Sequence, residues 1–181
     1  MTNPTPTHLR ALLDRIARLS AADKWAHDLN PTQLAALDYL ARANRFSRAP
    51  SQVADYLGAT RGTVSQTLKS LVRKGLIDEH AVAGDKRRLT LTLSPKGKAT
   101  LTRIRALDDV LAELPAKDAK ALVGPLEKVL GALVQRRGGR AFGLCGQCRY
   151  HQRSNAGSHC ALLNAPLAPP EADQICHEFA A

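Results

Sequence analysis

The fold is decided by residues 49–77, APSQVADYLGATRGTVSQTLKSLVRKGLI. Its second half, Thr60 to Gly75, opens on a residue suited to capping a helix and closes on glycine, and Val64, Leu68, Leu71 and Val72 fall on one face at helical spacing. The opposite face carries Arg61, Thr63, Ser65, Gln66, Lys69 and Arg73, all hydrogen-bond donors and none acidic. A helix that merely faces water mixes the two signs of charge. The first half reads as a short helix from about Pro50 to Leu57, with Val53, Ala54 and Leu57 inward, stopped by Gly58. Two helices joined by a tight glycine turn, the second with a face of donors, form a helix-turn-helix pattern.

Downstream, Leu76 to His80 and Leu89 to Leu93 read as two short strands, with Gly84-Asp85-Lys86-Arg87-Arg88 as the turn between them. A basic hairpin tip directly after such a helix is a wing. Ser94-Pro95-Lys96-Gly97 then starts a helix that is apolar at Leu101, Ile104, Leu107, Val110, Leu111 and Leu114 until Pro115, and a last helix runs from about Ala116 to Arg137 with Leu122, Leu126, Val129, Leu130 and Leu133. Upstream, Thr7 is placed to cap a first helix striped by Leu9, Leu12, Leu13, Ile16 and Leu19, and Asn30-Pro31 starts a second that fades by Phe46.

With 26 Lys+Arg against 16 Asp+Glu the chain is +10, and the surplus belongs to the body, because after Arg140 only Arg149 and Arg153 stand against Glu171, Asp173 and Glu178. Such a surplus suits a polyanion. The start of the chain lacks the charged and apolar regions of a secretory signal, and no apolar run reaches the roughly 20 residues of a membrane span, so a cytoplasmic location with no membrane partner is expected. No Gly-rich phosphate loop, H-E-x-x-H or G-x-S-x-G occurs, and no convincing carboxylate pair, so no enzyme activity is expected.

The run APSQVADYLGATRGTVSQTLKSLVRKGLI followed by GDKRRLTLTLSPKG resembles the MarR family of winged-helix regulators, over roughly residues 9–137. Leu93-Ser94-Pro95-Lys96-Gly97 carries Ser where that family usually has Thr. The resemblance implies a sequence-specific transcriptional regulator in which Arg61, Thr63, Ser65, Gln66 and Lys69 face the major groove and Arg87, oriented by Asp85, enters the minor groove. It also implies a homodimer through the terminal helices, which fits their surplus of apolar residues, and hence a pseudo-palindromic double-stranded DNA operator. Lys69, Arg73, Lys86 and Arg88 suit phosphate contacts. The fold class expected is mainly α with a small β-hairpin wing, a winged helix-turn-helix over residues 1–140.

Residues 141–181 depart from that family, whose members mostly stop at the last helix. All four cysteines lie here, at Cys145, Cys148, Cys160 and Cys176, spaced C-x2-C-x11-C-x15-C. In a reducing compartment four thiols in one short segment point to a metal or an iron–sulfur centre rather than disulfides. Structural zinc usually draws on paired C-x2-C knuckles, whereas iron–sulfur clusters accept one C-x2-C with distant cysteines. The order and gaps also resemble those of high-potential iron–sulfur proteins, so a 4Fe-4S cluster is the favoured centre, zinc is the alternative, and a metal carrier docking through its winged domain is a third reading. Rich in Pro, Ala and polar residues, the tail is expected to lack a core of its own and to be organised by its metal. His159 adjoins Cys160 and His177 adjoins Cys176, so either is an alternative to a cysteine in a mixed shell. Four cysteines suffice, however, and His151, His159 and His177 are expected to be exposed; the body is expected to stay folded without the tail, its core lying before Arg140.

Overall fold

The computed structural model describes residues 5–22, 28–82, 84–102, 106–154 and 157–180, without the side chains of residues 85–87. Among the described residues the α-helices are α1 (Pro6–Ala22), α2 (Pro31–Arg42), α3 (Pro50–Leu57), α4 (Arg61–Arg73), and, beyond the hairpin of β1 (Ile77–Val82) and β2 (Asp85–Leu93), α5 (Pro95–Thr102), α6 (Ala106–Ala112) and α7 (Ala116–Arg136). The tail holds β3 (Gly143–Leu144), β4 (His151–Ser154), β5 (Gly157–Cys160), β6 (Ala165–Leu167) and β7 (Ile175–Cys176).

Each helix start has a local cause. Asn30 caps α2 by accepting from the Gln33 amide at 2.8 Å, and Gln33 returns the bond to the Asn30 amide at 3.1 Å. Thr60 caps α4 through the Thr63 amide, and Gly58 ends α3 in the left-handed region at φ 59°. The α1 cap is Thr5 rather than Thr7, because Pro6 suits the first helical position and the Thr5 hydroxyl accepts from the His8 amide. The long helix read between residues 94 and 114 is described as α5 and α6, with residues 103–105, including Ile104, outside the described ones.

The wing also differs from its sequence reading. Lys86, Arg87 and Arg88 lie in β2 rather than in the turn, since Val82 pairs with Asp85 and Ala81 already with Leu89. This register shift absorbs the extra residues as a bulge, and Gly84 at φ 84° makes the reversal.

The core sits between α2, α3, α4 and the root of the hairpin: Leu34, Leu37, Tyr39, Leu40, Val53, Val64, Leu68, Leu71, Ile77 and Leu91. Tyr39, fully buried, donates its hydroxyl to the Ser47 carbonyl at 2.6 Å and stacks on Tyr56 at 4.3 Å. Burial holds its phenol well above the usual range, so it stays a donor. This core does not stop before Arg140. Ile175 belongs to it, and Phe142 packs edge-on against both Tyr39 and Tyr56.

Among the described residues α1, α6 and α7 bury no side chain. Their apolar stripes, including Leu9, Leu12, Ile16, Val110, Leu126, Val129 and Leu133, are exposed. No helix of the described residues is long and apolar enough to cross a membrane.

Candidate nucleic-acid interface and thiol cluster

On α4 the inward positions are those the periodicity assigns: Val64, Leu68 and Leu71 are buried and Val72 half-buried. Arg61, Thr63, Ser65, Gln66, Lys69 and Arg73 are all exposed. Thr63 is partly committed to the cap, its hydroxyl lying 2.9 Å from that of Thr60. Arg88 is exposed on β2; the side chains of Asp85, Lys86 and Arg87 lie outside those described. The helix presents guanidinium, amide, hydroxyl and ammonium donors in one direction, the groups that bond base edges and phosphates.

In the tail, Cys145, Cys160, Cys176 and Leu167 form a second core, with Phe46, Tyr150 and Phe179 packed against it. The tail therefore does have a small core, and cysteines make up most of it. All four thiols are free, and Cys148, half-buried, accepts at its sulfur from the Ala180 amide at 3.5 Å. Burial pushes the Cys145 thiol up to about 11, and the neighbouring Cys176, Cys160 and Cys148 push the same way. Cys176 is also raised by burial, against the Asn44 side chain, the Glu178 backbone and the Ser47 side chain, which favour its charged form. Among the described residues, no group of three or more His, Cys, Asp and Glu side chains is arranged to hold a metal ion. The Cys145 and Cys176 thiols, raised by burial, pack as neutral groups. Their chemistry nevertheless suits a soft cation: mutually close thiols resist ionising together unless a cation compensates, and a bound metal would displace their protons.

The tail histidines expected to be exposed, His151, His159 and His177, are each half-buried. His151 lies 3.1 Å from the Cys145 carbonyl and 3.2 Å from the Ser158 hydroxyl, and His159 is half-buried. His177 sits between Gln52 Nε2 at 3.1 Å and Arg140 Nη1 at 3.2 Å. Burial, with Arg140, holds its imidazole below the ordinary histidine range, against Glu178.

A seam joins tail to body at the turn between α2 and α3, Arg45–Ser47, and the sequence reading missed it. Ala43 bridges Ile175, the Asn44 amide donates to the Ile175 carbonyl at 3.0 Å, and the His177 amide donates to the Ser47 hydroxyl at 2.9 Å. Arg45 pairs with buried Glu171 at 2.6 Å and donates to the Pro166 carbonyl. The only sequence signal was the Asn-Arg-Phe-Ser run where the α2 pattern fades, a segment without periodicity. Arg45→Ala is expected to cost about 1–2 kcal/mol, less than a fully buried pair because Arg45 is half exposed, while Glu171→Gln costs less by removing the stranded charge. Urea unfolding of the two variants checks this order.

The helix-turn-helix with its two-stranded hairpin defines a winged-helix fold. Residues 27–88 match the profile of the MarR family, a span that takes in α2 to α4 and the tip of the wing. Among solved structures, the chain is similar to S. aureus MepR in its DNA-binding conformation (24% identity, 71% of this chain and 98% of that one, TM-score 0.59). It is also similar to MepR in a MepR–DNA complex (23% identity, 69% and 94%, TM-score 0.54) and to a MarR transcriptional regulator from Methanosarcina mazei Go1 (17% identity, 69% and 93%, TM-score 0.55). At these identities the likeness speaks to the fold. No curated protein matches the chain.

Proposed function

We propose that the protein is a dimeric, sequence-specific DNA-binding transcriptional regulator of the MarR type, whose DNA affinity is tuned by a centre held by Cys145, Cys148, Cys160 and Cys176. The observation that carries the DNA reading is the exposed face of α4, rich in donors and free of carboxylates, followed at once by a basic wing. The MepR–DNA complex, as a structural neighbour, supports it. Dimerisation is supported by the bare apolar stripes of α1, α6 and α7, a larger exposed surface than a monomer ordinarily carries. A two-fold partner covering them would set two α4 helices about one DNA turn apart.

Light scattering at micromolar concentration is expected to report a dimer, and a stable monomer would refute the assembly. The dimer is expected to bind a pseudo-palindromic duplex with an affinity that falls steeply with salt as counterions are recaptured. Arg87→Ala is expected to lower that affinity, and Gln66→Ala to relax preference at one base step by roughly 1–3 kcal/mol. Equal affinities of wild type and Arg87→Ala would remove the wing from the interface.

For the centre, a single C-x2-C followed by two solitary cysteines favours an iron–sulfur cluster of the 4Fe-4S kind over zinc. Such a cluster supplies one-electron chemistry and sensitivity to oxidants or iron supply. Cys145, Cys148, Cys160 and Cys176 would hold it, Phe46, Tyr150 and Phe179, which pack against this cluster of residues, would shield it from water, and the Ile175 and His177 contacts would fasten its neighbourhood to the helix-turn-helix. Protein purified without oxygen is expected to be brown and to contain iron and sulfide, and replacing any one of the four cysteines by Ser should lower that content. Colourless protein with one zinc per chain would make the centre a structural clip. Duplex titrations of loaded and metal-free dimers at one salt concentration test the tuning, and coincident curves would reject it.

A further inference from the structure

The end of α7 is firmly built and fastened to the helix-turn-helix. Gly138, at φ 60°, donates its amide to the Gln135 carbonyl at 3.1 Å, and Gly139 donates to the Val134 carbonyl at 3.0 Å, the paired bonds of a left-handed glycine cap. Just beyond, Arg140 is held by Glu178 and His177, and Phe142 packs edge-on against Tyr56 of α3 at 5.2 Å. This brings Arg137 over the turn between α3 and α4, where its Nη1 lies 4.0 Å from the place a Cβ on Gly58 would take. Arg136 and Arg137 are both exposed, and among the described residues neither has an ion pair. Their own segment does not neutralise them, since between Glu127 and Glu171 the sequence holds six Lys and Arg and no acidic residue. One basic residue in a last turn is ordinary, because it complements the helix dipole. Two arginines, the second laid over the turn of a DNA-reading motif, suit an external anion.

We propose that Arg136 and Arg137 form a sequence-independent contact to the DNA phosphate backbone, carried on the end of the last helix rather than on the helix-turn-helix or the wing. This rests on the reading of α4 as a DNA-contacting helix. In such a motif the first helix crosses the backbone while the start of the second enters the major groove, so the turn between them passes over a phosphate strand. A guanidinium set against that turn meets the strand and releases a condensed counterion from it. Contacts of this kind fix the position of the protein without reading bases. They also tie DNA binding to assembly. The helix that ends in the two arginines carries the bare stripe of Leu126, Val129 and Leu133, so a partner covering that stripe fixes the spacing of both arginine pairs along the duplex.

Arg137→Gln and the double variant Arg136→Gln/Arg137→Gln test this in the full chain. Arg137→Lys keeps the charge, and Lys117→Ala, in the first turn of α7, removes the same charge at the far end of the helix. The probe is a fluorescent duplex of mixed sequence, roughly 30 base pairs or three helical turns long, titrated over a salt series. No operator is needed, because phosphate contacts do not depend on sequence. In the dimer each arginine counts twice. At roughly 0.9 per phosphate, the slope of log affinity against log salt is expected to flatten by about 2 for Arg137→Gln and by about 3–4 for the double variant. Arg137→Lys and Lys117→Ala should keep the wild-type slope, and urea midpoints should stay near wild type because these side chains are exposed. A wild-type slope in the double variant would overturn the proposal and leave the DNA reading standing. Flattening by Lys117→Ala as large as by Arg137→Gln would also overturn it, since overall charge would then account for the effect. A wild-type protein that does not bind the duplex even at the lowest salt would overturn the contact together with the DNA reading.

Discussion

Gly97→Ala is expected to destabilise the body by about 3 kcal/mol or more, although alanine is the better helix former. A Cβ on Gly97 would lie 2.1 Å from the Leu76 carbonyl oxygen and 3.1 Å from its carbon. That carbonyl cannot retreat cheaply. It already accepts from the Ser94 amide at 3.1 Å, and the Leu76 amide is tied to the Leu71 carbonyl at 3.0 Å, at the joint between α4 and β1. Ser94 closes the other side, donating its hydroxyl to the Gly75 carbonyl at 2.6 Å and accepting from the Gly97 amide at 3.0 Å. The Leu-Ser-Pro-Lys-Gly run is thus a clasp that seats α5 on the root of the wing, with Lys96 reaching the Lys74 carbonyl as well. Urea denaturation checks the expectation, and a midpoint within error of wild type would mean that α5 can slide away from Leu76. A looser clasp would also change how the wing is aimed, so DNA affinity should fall with stability.

What could be read in the sequence was what local rules govern. The α4 stripe of Val64, Leu68 and Leu71, the Thr60 cap and the left-handed Gly58 depend on neighbours within a turn or two, and all three fall where the pattern places them. Strand ends were less legible, because the bulge that carries Lys86 to Arg88 into β2 depends on pairing across the hairpin. The four cysteines announced themselves by segregation, but their surroundings did not. Asn44 and Ser47 are separated from Cys176 by more than a hundred residues of chain. Glu171 looked like one more charge in a polar tail, and only its burial against Arg45 gives it a role. His177 looked exposed for the same reason: no periodicity marks a loop residue covered by a distant helix.

Ending the chain at Arg140 is expected to cost the winged body a large part of its stability, contrary to what a division at that residue suggests. Three losses coincide. Ile175 leaves the core it shares with α2, and a fully buried side chain of that size contributes about 1.5–3 kcal/mol. Phe142 leaves its edge-on contacts with Tyr39 and Tyr56, at ring-centroid distances of 6.1 and 5.2 Å, an aromatic arrangement adding roughly 0.5–1.5 kcal/mol beyond its area. The Asn44 amide and the Ser47 hydroxyl lose the Ile175 carbonyl and the His177 amide, although water can replace these partners once the tail is gone. Together they amount to about 3–6 kcal/mol, set against the 5–15 kcal/mol that separates an ordinary domain from its unfolded state. Urea unfolding of residues 1–140 beside the full metal-free chain measures the difference. Equal midpoints would show that the seam is a loose contact and the tail an independent appendage. A lowered midpoint would mean that the thiol site and the DNA-reading helices share one cooperative unit, in which whatever holds or releases the tail also changes the free energy of the body that meets DNA.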